Sequence, residues 1–123
     1  MHNRIFTLDA IVGRIAALEL GDDGLHTVWT EPQCTTEFLA VIGPRHRRVL
    51  VGTDIPAGQS PGDNTQDRVV WRDAETSLEL ARSPLLPVVN TGTMVEPGYA
   101  GRMYYLATHG KIIELTVRPN EQE

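Results

Sequence analysis

Residues 7–20, TLDAIVGRIAALEL, decide how this chain is read. Leu8, Ile11, Val12, Ile15 and Leu18 recur at steps of three and four, which puts them on one face of a helix with 3.6 residues per turn. Thr7 can cap the first turn, Asp9 suits the positive end of the helix dipole, and Gly21 stops the run. Gly13 costs about 1 kcal/mol against alanine in a helix interior, so packing rather than propensity has to hold this one. The spacing predicts an N-terminal amphipathic helix over 7–20.

Beyond Gly21-Asp22-Asp23-Gly24 the period changes. Residues 25–30 (LHTVWT), 37–42 (EFLAVI), 48–53 (RVLVGT) and 67–72 (DRVVWR) read as strands, the second and third joined as a hairpin through Gly43-Pro44-Arg45-His46-Arg47. Residues 54–66, with two prolines and two glycines, read as a surface loop. Residues 74–82 carry both patterns. Asp73 as cap, Arg82 near the end and Pro84 beyond favour a short second helix, and Leu78 alternating with Leu80 favours a strand. The helix is the expectation. Residues 83–101 read as irregular.

Residues 102–108 (RMYYLAT) and 111–118 (KIIELTVR) flank His109-Gly110, a two-residue turn that sets Leu106 opposite Ile113, Tyr105 opposite Glu114 and Tyr104 opposite Leu115. The fold expected is therefore α+β in a single domain. The N-terminal helix packs on an antiparallel, curled sheet of five or six strands, and residues 1–5 and 119–123 fray.

Phe38 to Ile42, Val49-Leu50-Val51 and Val69-Val70-Trp71 are apolar at every position. Side chains alternate faces along a strand, so such strands need cover on both sides. A 14-residue helix is about 21 Å long and shields one face only. The other face calls for curling of the sheet, for residues 74–101, or for another chain. A homodimer or a protein partner on that face is the expectation.

The chain has 123 residues, 11 Lys plus Arg and 16 Asp plus Glu, for a net charge of −5. That balance argues against nucleic acid as a partner, since phosphate neutralisation takes a basic face. The one basic cluster is Arg45-His46-Arg47-Arg48, a solvated loop or a contact for phosphate or an acidic partner. No apolar run approaches the roughly 20 residues of a membrane span, and one cysteine, Cys34, forms no disulfide within the chain. A cytoplasmic protein, off the membrane, follows.

Chemistry-bearing motifs fail on mechanism. Gly58-Gln59-Ser60-Pro61-Gly62 has the pattern of a nucleophile elbow, but Pro61 has no N–H to offer an oxyanion. Cys34 with His26 is a conceivable nucleophile and base, though a lone cysteine near a strand is more often a small buried hydrophobe. The histidines at 2, 26, 46 and 109 lack ligand spacing, so no metal is expected, and no glycine-rich phosphate cradle implies a cofactor.

The leading reading is thus a non-catalytic interaction protein that uses a sheet surface, a class of acidic domain that suits a basic protein partner. Its contact residues would be Met103, Tyr105, Ile112 and Glu114 on one sheet face, together with Trp29, Trp71, Arg45 and Arg47. The runner-up is a half-barrel holding a small molecule, with Trp29, Trp71, Tyr104 and Tyr105 around it and Glu114 as acid or base. A third reading is a structural subunit of a larger assembly.

Overall fold

The computed structural model describes residues 4–36, 39–88, 95–98 and 102–117. Residues 7–20 are not helical. β1 (Arg4–Asp9) and β2 (Arg14–Gly21) form an antiparallel hairpin, and β3 (Gly24–Pro32) continues the meander across the two-residue turn Asp22-Asp23. The described residues contain strands and a single 3-10 turn, so the α+β expectation gives way to an almost wholly β chain.

The local chemistry explains the correction. Asp9, read as a charge at a helix start, instead caps a tight turn. Its Oδ1 accepts the amides of Ile11 and Val12 at 3.1 Å each, and its carbonyl accepts Gly13 N–H at 2.8 Å. Gly13 sits at φ +77°, left-handed backbone that glycine enters without strain. Either side of the turn, Phe6 and Leu8 alternate inward on β1, and Ile15 and Ala17 on β2. Leu8, Ile15 and Leu18 thus satisfy the helical spacing by coincidence. Ile11 and Val12 ride on the tip, Ile11 96% exposed.

The central sheet runs β4 (Ala40–Ile42), β5 (Val49–Asp54), β6 (Gln66–Asp73), β7 (Glu79–Arg82), with β8 (Leu86–Pro87) pairing the start of β6. The expected helix over 74–82 is one turn followed by β7. Asp73 does cap, its Oδ1 accepting Glu75 N–H at 2.8 Å and Thr76 N–H at 3.1 Å. Ser77 then takes φ +71°, and its N–H closes on the Asp73 carbonyl at 2.9 Å, so the chain reverses after one turn.

The third sheet has the order β11 (Ile112–Leu115), β10 (Met103–Leu106), β9 (Val95–Pro97). Three residues, Thr108, His109 and Gly110, connect its last two strands, and Ala107 N–H meets the Lys111 carbonyl at 2.8 Å. Gly110 supplies the left-handed residue at φ +74° that a three-residue hairpin needs. The register is accordingly one residue from the expected one: Tyr104 lies opposite Glu114, Tyr105 opposite Ile113 and Leu106 opposite Ile112. A one-residue slip exchanges the faces of a strand. Ile113 and Leu115 therefore share the inner face with Met103, Tyr105 and Ala107, while Ile112 and Glu114 turn outward.

Three sheets, rather than one of five or six strands, thus make the molecule. Val51, Val69 and Trp71 on one face of the central sheet pack against Met103, Tyr105 and Ala107. Leu50 on the other face packs with Ile15, Phe6, Leu8 and Trp29 of the N-terminal sheet. The need for cover on both sides of β5 and β6 is met within the chain, by the segment expected to be a helix and by the one expected to extend the same sheet. Expectations placed on 1–3, 37–38, 89–94, 99–101 and 118–123 lie outside the described residues.

A buried polar network pins the connection after β3 to the central sheet. Arg72 Nε donates to Gln33 Oε1 at 2.8 Å and Arg72 Nη1 to the Ser77 carbonyl at 3.0 Å. Gln33 Nε2 donates to Thr35 Oγ1 at 3.1 Å, and Thr35 Oγ1 to the Thr53 carbonyl at 2.6 Å. Gly52 runs beneath it, where a Cβ would stand 2.5 Å from Leu39 and 3.2 Å from Gln33.

Candidate functional site

The residues expected to form one contact surface are dispersed. Met103 and Tyr105 are wholly buried, and the Tyr105 hydroxyl donates to the Pro87 carbonyl at 2.5 Å. Glu114 and Ile112 are exposed on the opposite side of their sheet, with Glu114 3.5 Å from Arg102. Trp29 and Trp71 lie on opposite faces of the central sheet. Trp29 Nε1 donates to the Ala74 carbonyl at 3.1 Å. The aromatic quartet around a common ligand is therefore not assembled. Arg45 and Arg47 are exposed in the β4–β5 connection.

The chemistry of individual groups is quiet. Burial, then the carboxylates of Asp54 and Asp67, push the Cys34 thiol above its ordinary range, the reverse of what a nucleophile needs. Its Sγ lies 3.6 Å from the Ala10 carbonyl, and no histidine hydrogen-bonds it among the described residues. Burial, then the charge of Asp67, raise the Tyr105 phenol. Glu79 is lowered chiefly by its hydrogen bond from Arg82. Among the described residues no group of His, Cys, Asp and Glu is placed to hold a metal ion, and no helix is long and apolar enough to cross a membrane. Ser60 lies in successive turns of the 55–65 loop, without a strand before it or a helix after it.

Two surface features stand out instead. The outer face of the N-terminal sheet sets Ile5 opposite Leu18 and Leu20 opposite Leu25, with Thr7, Ala16 and Thr27 between them. Ile5 is 44%, Leu20 56% and Leu25 54% exposed. By register, no Asp, Glu, Lys or Arg points outward between the Asp9–Arg14 pair at one end and the Asp22-Asp23 turn at the other. Inward-facing charges on the same strands are bonded: Arg4 bonds Glu19 and reaches Glu75 at 2.9 Å, and Glu31 accepts the Ser77 hydroxyl at 2.5 Å. A bulge at Ala17/Leu18 leaves Val28 unpaired and exposed beside this face.

The second feature is a cleft of about 400 Å³ at the end of the central sheet, lined by Ile42, Pro44, Arg47, Arg48, Asp73 and Leu80 among others. Leu80 is the extra residue of a bulge between β6 and β7, which leaves it half exposed beside the cleft.

Sequence reasoning named the basic loop but missed the sheet face. The available signal was the alternation of Leu18 and Leu20 running into Gly-Asp-Asp-Gly, a two-residue hairpin flanked by strand patterns. Leu80 carried no such signal, since a bulge depends on how two strands meet. No protein-family model, curated protein or solved structure matches this chain.

Proposed function

We propose that this chain is a non-catalytic interaction protein that assembles with a second copy of itself through the outer face of its N-terminal sheet. The observation that carries the reading is the charge-free apolar patch of Ile5, Leu18, Leu20 and Leu25. An antiparallel sheet with one face on the core ordinarily offers polar side chains to water on the other. Here 22% of the residues are charged, yet the middle of that face has none. Two copies, each of charge −5, can meet there with their charges at the rim, the arrangement of apolar centre and polar border that interfaces favour. A two-fold contact uses the same patch on both partners.

The magnitude sets the strength. Three strands of about eight residues project an area of about 400 Å². A standard interface takes about 800 Å² per partner. The Ile11-Val12 tip enlarges the surface only in part, so association is weak and concentration-dependent. A single cysteine and a net negative chain fit the reducing cytoplasm as the place of work.

Sedimentation velocity from 1 to 300 μM tests it. A monomer–dimer equilibrium is expected, abolished in Leu20→Glu and Leu25→Glu, with melting temperatures unchanged because both positions are exposed. A monomer throughout that range, or a dimer indifferent to both substitutions, overturns the reading.

A further inference from the structure

Arg45, Arg47 and Arg48 belong to a chain with five more acids than bases, yet none of the three makes an ion pair or side-chain hydrogen bond among the described residues. By contrast, Arg4 bonds Glu19 and Glu75, Arg82 bonds Glu79, and Arg72 bonds Gln33. Arg47 and Arg48 line the cleft together with Ile42, Pro44, Val49 and Leu80, and Arg45 stands on the same short connection. The one acid in that lining, Asp73, already has Oδ1 accepting two backbone amides.

We infer that this cleft is a binding site for an acidic peptide segment of a partner protein, its carboxylates against Arg47 and Arg48 and an apolar side chain seated beside Leu80. The cleft lies open at the sheet end and is bordered by an exposed rim, which suits a chain laid across it better than a small molecule enclosed by it. Guanidinium groups pair carboxylates bidentately, and Arg47 and Arg48 each offer one to an acid of the segment. The bulge at Leu80 supplies an apolar anchor between charged positions Glu79 and Arg82, giving selectivity beyond charge. This site is separate from the proposed self-association face, and either can fail without the other.

Fluorescence anisotropy with labelled Glu-Glu-Leu-Leu-Glu-Glu, at 50 mM and 500 mM NaCl, tests the inference. Saturable binding is expected, weakened about tenfold in Arg47→Gln/Arg48→Gln and by the higher salt. Leu80→Ser, which keeps every charge and alters an exposed position, should weaken it several-fold, and the peptide with glutamines for glutamates should not bind. Leu20→Glu should leave the affinity unchanged. No saturable binding, equal binding of the glutamine peptide, or indifference to the arginine pair each overturns the inference. So does an effect of charge alone with none from Leu80→Ser, which is plain ion exchange. Tighter binding of a single-stranded oligonucleotide than of the peptide would assign the cleft to another ligand class and overturn it as well.

Discussion

The Tyr105 phenol is held inside the molecule with its hydroxyl on the Pro87 carbonyl and the fully buried Asp67 nearby. Both burial and that carboxylate disfavour the phenolate, so the folded pKa stands above the ordinary value of about 10. The unfolded chain releases this proton at lower pH than the folded one. The stability linked to Tyr105 is therefore complete below about pH 10 and lost as pH rises above it. Denaturant midpoints from pH 8 to 11.5 should fall more steeply for the native chain than for Tyr105→Phe, which at pH 8 is itself less stable by about 1 kcal/mol for the lost hydrogen bond. Parallel slopes would refute the assignment. Cys34, half-buried and raised in pKa, should react with iodoacetamide at pH 7.5 more slowly than a free thiol, and at the ordinary rate only in denaturant.

Among the elements, the β1–β2 turn gives the sharpest contrast. A helix over 7–20 would gain about 1 kcal/mol from Gly13→Ala. The observed turn needs φ +77° there and offers a Cβ ordinary space, 3.9 Å from the Cys34 Cβ, so the same substitution should cost about 1 kcal/mol through backbone strain alone. Chemical denaturation measures the sign. The strands at 49–54 and 66–73 and the loop between them were legible, because runs of valine bounded by prolines and glycines leave few alternatives. The first twenty residues were not, because Leu8, Ile15 and Leu18 fit two periods and only long-range pairing selects one. Asp73 exposes the same limit: its capping chemistry was read correctly, and what ended the turn at Ser77 was the pairing of β7 with β6. The C-terminal hairpin was legible as a hairpin, but a loop of three residues instead of two moved Glu114 from Tyr105 to Tyr104 and dissolved the expected contact face.

At the scale of the molecule, the central sheet is shared by two cores. Ile15, 1% exposed, belongs to one and Trp71 to the other. Ile15→Ala should cost about 3 kcal/mol. Because the layers meet on the same strands, that loss should appear equally at both tryptophans. Unfolding curves read from Trp71 alone (in Trp29→Phe) and from Trp29 alone (in Trp71→Phe) should each shift when Ile15→Ala is added, with no intermediate plateau. A shift confined to the Trp29 signal would mean that the N-terminal sheet melts by itself.

The order of the layers also dictates the order of exposure during translation. Residues 4–73 leave the ribosome carrying β1 to β6, with the Leu50 side already furnished with its lid, while the side bearing Val51, Val69 and Trp71 awaits strands 103–106 and 112–115. For the seconds needed to polymerise the last third of the chain, at about 5–20 residues per second, a nascent sheet stands bare on one side. Stalled or truncated products ending before Met103 should therefore be the ones that chaperones retain and that precipitate when chaperones are scarce.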